Sequence, residues 1–152
     1  MVTELGRIWS TLSGNGLSGT GLGRTGLGRT GGFGHSGVMT RDDINAICKT
    51  LPGAELTDPW GGGHDAWKVG GKMFASIGVL GDGVSVKTPD VETATLLIEL
   101  GRAEKAPYFH RSWVRVQWIG ADPAEITDRL TQSYDIVRSG LTKKLQATLP
   151  AR

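Results

Sequence analysis

The sequence predicts an α+β fold in which an antiparallel sheet of about five strands carries helices packed on one face. Three observations lead there. Residues 67–77 contain two alternating apolar runs joined by Gly70-Gly71, the pattern of a tight β-hairpin. The connection to the next strand is short, which suits antiparallel neighbours and leaves no room for the crossovers of a parallel sheet. Segments with apolar residues every three or four positions flank the strands, so helices cover the sheet without alternating strictly with it.

The chain divides at residue 37. Residues 1–37 hold 12 of the 24 glycines, with Glu4, Arg7, Arg24 and Arg29 as their charged residues. From Ser13 they fall into pentads (SGNGL, SGTGL, GRTGL, GRTGG, FGHSG), a period that fits neither helix nor strand. A glycine-rich, disordered leader is expected. Arg24 and Arg29 alternatively read as an RGG-like tail for single-stranded nucleic acid, without interleaved aromatics. Residues 3–12 could form a helical turn. Met39 directly precedes a good helix start, so the natural domain is expected to begin there, with the leader as an upstream extension.

Residues 38–152 form the domain, and they carry 14 basic and 14 acidic side chains. The overall pI of 8.9 therefore comes from the leader. Bulk charge gives no argument for nucleic-acid binding by the domain. A single cysteine, Cys48, excludes an internal disulfide and fits a reducing compartment. No apolar run is long enough to span a membrane and no secretory signal is visible, so the cytoplasm is the expected location.

Thr40 is the expected cap of a first helix, with Asp42 and Asp43 in its first turn. Ile44, Ile47, Cys48 and Leu51 form its apolar stripe, and Pro52-Gly53 stops it. Cys48 on that stripe reads as core. Residues 54–58 predict a short strand, followed by the glycine-rich loop 59–65. That loop lacks the Lys-Ser/Thr pair of a phosphate-binding loop and leads into a strand, so it reads as a connection that lets Trp60 fold back over the core edge. In the hairpin, Trp67 and Val69 are expected on one face, and Met73, Ala75 and Ile77 together on one face, with Val79-Leu80 ending the second strand. Gly81-Asp82-Gly83 turns into a third strand at 84–88.

Thr88-Pro89-Asp90 opens a helix over about 90–101 with Val91, Ala94, Thr95 and Ile98 on one face. Residues 102–112 read as a polar connection. Trp113, Arg115 and Gln117 alternate with Val114, Val116 and Trp118 as a strand. Asp122-Pro123-Ala124-Glu125 is a strong helix start. Ile126, Leu130, Tyr134, Val137 and Leu141 mark its buried stripe, and Gly140 breaks or kinks it before Leu145 and Leu149.

The run Trp67-Lys68-Val69-Gly70-Gly71-Lys72-Met73-Phe74-Ala75, preceded by Leu51-Pro52-Gly53-Ala54-Glu55, resembles the MmcQ/YjbR family. Val84-Ser85-Val86-Lys87, the aromatic approach to Trp113-Val114, and Ser133-Tyr134-Asp135 with Lys143-Lys144 extend the resemblance over residues 39–149. It implies a CyaY-like (frataxin-like) fold with a double-wing arrangement in a cytoplasmic bacterial protein that binds DNA. One departure stands out: where many members carry Asn-Lys-x-His, this chain has Phe109-His110-Arg111-Ser112.

DNA is accordingly the expected partner. The candidate contacts are Lys68, Lys72 and Lys87 on the hairpin and its neighbour, His110, Arg111 and Arg115 near the last strand, and Lys143 and Lys144 near the end. The alternative is a small-molecule or protein-binding pocket lined by Trp60, His64, Tyr108, His110 and Trp113, though Trp67 and Trp113 also read as core. A metal or enzymatic site would have to draw on His64, Asp65 and His110. The histidines lack metal-ligand spacing and no nucleophile motif is present, so no cofactor, metal or catalytic residue is expected.

Overall fold

The computed structural model describes residues 38–152, and the expectations for the leader lie outside them. Helix α1 (Arg41–Thr50) starts with a capping box: Thr40 Oγ1 accepts the Asp43 N–H, and the Asp43 carboxylate accepts the Thr40 N–H at 2.8 Å. Ile44 and Cys48 are buried on its inner face. The chain then makes β1 (Ala54–Thr57), β2 (Asp65–Val69), β3 (Lys72–Ile77), β4 (Gly83–Lys87), α2 (Val91–Glu99), β5 (Glu104–Lys105), β6 (Trp113–Gln117), α3 (Pro123–Ser139) and α4 (Lys143–Thr148). Asp90, Asp122 and Thr142 cap the later helices through their side chains.

The sheet has six strands in the order β1-β2-β3-β4-β6-β5, and every neighbouring pair is antiparallel. The extra strand is β5, within the stretch read as a polar connection. Two exposed charged residues are too short a run to show alternation.

Residues opposite one another in an antiparallel ladder share a face, so register assigns the two sides. Trp67, Ala75, Val86 and Val114 form one row, buried beneath the helices. Ala66, Ser76, Ser85 and Arg115 form the adjacent row, on the side away from them. Helix α3 packs on β2, β3 and β4, α1 on β1, and α2 on β5 and β6. The stripe Ile126, Leu130, Tyr134, Val137 and Leu141 is buried, and α3 stops at Gly140.

A bulge corrects the hairpin's expected phase. Between Trp67 and Lys68 the register shifts, leaving Phe74 as the additional residue. Met73 therefore pairs with Lys68 on the open face, while Ala75 and Ile77 turn inward with Trp67. Phe74 is fully buried and meets Tyr134 edge-on, with centroids 5.4 Å apart.

Other side-chain placements also differ from expectation. β3 ends at Ile77, and Val79 and Leu80 are exposed in the following turn. Helix α2 buries Thr93, Ala94 and Leu97 and exposes Ile98, because its broad apolar arc left the inward direction to be set by packing on β6. Trp60 does not cover the core edge: it is 54% exposed, edge-on to His64 at 5.4 Å. Trp67 is core, with Nε1 donating to Asn45 Oδ1 at 2.8 Å. Among the described residues no helix is long and apolar enough to cross a membrane.

Candidate nucleic-acid interface

Antiparallel pairing brings the ends of β2, β4 and β5 together with the starts of β3 and β6. Lys68, Lys72 and Lys87 consequently lie at one end of the sheet, beside the loop 106–112 that carries His110 and Arg111. Lys105, at the end of β5, joins them; a single lysine in a polar stretch gave no sequence signal. The hairpin turn also receives the last helix. A Cβ at Gly70 would sit 2.5 Å from Leu141 Cδ1 and 3.3 Å from Leu145 Cδ2, so the segment bearing Lys143 and Lys144 is seated against the turn. Six of the eight sequence-predicted contacts, namely the five lysines and Arg111, thus gather as basic side chains around one end.

These cations are unpaired. Among the described residues, Lys68, Lys72, Lys87, Lys105, Arg111, Lys143 and Lys144 form no ion pair. Arg41, Arg102, Arg115 and Arg152, by contrast, are all bridged to acids. Lys68 and Lys87 are half-buried, and Lys68 lies directly across from Glu55.

Two expected contacts play other parts. Arg115 is held on the open face between Asp82 and Glu104, the latter at 2.8 Å, so its charge is already compensated. His110 Nδ1 accepts the Ser112 N–H at 3.2 Å and lies 2.9 Å from Ser112 Oγ. With Nδ1 as acceptor, the ring N–H is Nε2, and the imidazole serves to shape the turn. Ser112 is buried, and the contact spans two residues of one turn.

The loop is tied to β4. Thr88 N–H donates to Ser112 O at 2.8 Å, and the Thr88 hydroxyl lies 2.7 Å from the same oxygen. Trp113 is not core: it lies across from Lys87 on the open face, stacked with Phe109 at 4.7 Å and 24°. Tyr108 is fully exposed and has φ of +68°, the left-handed region that bulky residues avoid.

The alternative pocket is not assembled. Trp60 and His64 precede β2, beyond the opposite end of the sheet from Tyr108, His110 and Trp113. The same separation removes His110 from His64 and Asp65, and no group of three His, Cys, Asp or Glu suited to a metal exists among the described residues. A cavity of about 380 Å³ lies elsewhere, between the ends of α2 and β6 and the start of α3, and contains none of those aromatic or histidine residues.

At the Trp60 end, Asp65 joins Arg41 and Asn45, at 2.6 and 2.9 Å. Burial opposes its charge, but hydrogen bonds from Arg41 and Asn45 and the guanidinium charge together hold its carboxyl below the usual range. Cys48, enclosed in the core, has its thiol pushed up to about 12 by burial alone.

No curated protein matches the chain. Among solved structures, it is similar to Deinococcus radiodurans protein DR2400, described as a DUF419 domain, at 25% identity. That match covers 74% of this chain and 88% of that one, with a TM-score of 0.63. The model of the YjbR family matches residues 49–136, more than half of the sequence and the span from the end of α1 through most of α3. The chain belongs to the YjbR family.

Proposed function

We propose that this YjbR-family protein binds DNA without catalysing a reaction on it, contacting phosphates through Lys72, Lys87, Arg111, Lys143 and Lys144, with Lys68 in a lesser role. The observation that carries this reading is the segregation of unpaired cations. The basic side chains at one end of the sheet have no acidic partner, whereas four arginines elsewhere are consumed by ion pairs. A formally neutral domain can bind a polyanion when its free cations are gathered on one surface. The hairpin turn is one wing of this surface and the loop 106–112 the other.

The non-catalytic part of the reading is supported by the Ser112–His110 contact being local to one turn and by the unreactive setting of Cys48. Titrating the full chain with a short duplex while following backbone amide NMR shifts tests the location. Shifts are expected at Gly70–Lys72, Lys87, 106–112 and the first turn of α4. Shifts confined to the Arg41–Asp65 end would contradict it.

A further inference from the structure

We propose that the DNA segment held at this end of the sheet is single-stranded, with bases stacked on Tyr108 and on the Phe109–Trp113 pair. The inference rests on the DNA-binding reading above and specifies its ligand.

Tyr108 is the starting point. It has the left-handed backbone that glycine or asparagine adopts more easily, yet its ring is fully exposed and makes no hydrogen bond or ring contact. In the free protein the ring offsets none of that backbone cost. A side chain held in strain and presented to solvent is what a binding surface requires. One residue on, Phe109 stacks on Trp113 at 4.7 Å, so two aromatic platforms occur within one short loop and the strand it enters. The end of the loop is tied to β4 where Thr88 bonds Ser112 O, and His110 closes the turn from within the loop by accepting the Ser112 N–H.

The surroundings suit a strand of nucleotides. Lys87 lies directly across from Trp113, Lys105 precedes the loop, and Arg111 lies within it, two residues before Trp113. Of the seven arginines in residues 38–152, Arg111 alone has no hydrogen-bond or ion-pair partner. Aromatic rings interleaved with free cations match alternating bases and phosphates. A duplex keeps its base faces inside its own stack, so these rings would have little to meet there. A single strand exposes every base.

The test uses the full chain and three fluorescein-labelled ligands of about 12 nucleotides: a single DNA strand, its duplex, and the RNA strand of the same sequence. Wild type is compared with Tyr108→Phe, which keeps the ring, and Tyr108→Asn, which keeps the backbone conformation. The DNA strand is expected to bind at least about fivefold tighter than the duplex; Tyr108→Asn should lose about fivefold or more on the strand alone, and Tyr108→Phe should match wild type. An undiminished Tm for Tyr108→Asn establishes that the variant is folded. Equal affinity for duplex and strand, or an unaffected Tyr108→Asn, overturns the inference and leaves the DNA-binding reading standing. Tighter binding of RNA overturns DNA as the source of the strand. No binding of any ligand overturns both.

Discussion

Ser133, buried in the middle of α3, accepts the backbone N–H of Lys87 at 2.8 Å. The same hydroxyl donates to Phe74 O at 2.6 Å. It stands in where β3 and β4 stop pairing, since their ladder runs only from Ala75–Val86 to Ile77–Val84. The bulge that turns Phe74 inward leaves a carbonyl on β3 and an amide on β4 without a strand partner. One serine from the covering helix satisfies both, and it fixes the end of β4 where Lys87 projects.

Ser133→Ala removes both bonds and leaves two buried backbone groups unsatisfied. A loss of about 1–3 kcal/mol is expected in urea unfolding, with faster hydrogen exchange at the Lys87 amide. A stability equal to wild type would mean that the bridge is not needed to close the splayed strands.

Gly70 has φ of +55° and faces Leu141 at a distance no Cβ can share. Gly70→Ala should cost about 2–4 kcal/mol, combining a left-handed penalty with overpacking. Gly71→Ala serves as the control. It has φ of +80° but open space around it, so its loss should be smaller, limited to the backbone term.

Asp65 sets a pH dependence of definite sign. Its folded-state pKa is depressed by Arg41 and Asn45 despite burial, so its contribution is complete above the ordinary carboxylate value of 3.8. That contribution is lost as pH falls through the depressed value. Asp65→Asn should be less stable than wild type near neutrality and should converge on it in acid, as read by urea midpoints across the pH range.

Cys48 is the chain's one thiol, and burial holds it as the neutral form at neutral pH. A disulfide reagent should leave it unmodified in the native protein and react promptly once the chain is unfolded in denaturant. Rapid labelling under native conditions would show that α1 opens readily from the sheet.

Much of this architecture is written in local patterns. The Thr40 and Asp122 caps, the Gly70-Gly71 turn and the α3 stripe each specify their element through neighbours within a few residues. The bulge at Phe74 was not legible, because one extra residue in a strand is decided by pairing partners and by Tyr134, 60 residues away in sequence. The direction of α2 was hidden for a related reason: apolar residues on most of its surface leave the choice to tertiary packing. For the candidate site, the residue types of Lys72 and Arg111 could be read, but their freedom could not. That Arg115 is bound by Asp82 and Glu104 depends on three separate strands and turns meeting. The strain at Tyr108 has no counterpart in the sequence at all, since nothing in Pro107-Tyr108-Phe109 requires a left-handed residue.

The central claim is that the unpaired cations at one end of the sheet make phosphate contacts. Its most direct test is a salt titration of DNA binding by anisotropy, comparing the full chain with the Lys72→Ala/Arg111→Ala double variant. Each lost phosphate contact removes about 0.7–0.9 from the slope of log affinity against log salt. The account predicts weaker binding at every salt concentration and a slope shallower by about 1.4–1.8 in the double variant. Identical affinity and slope for the two proteins would contradict it.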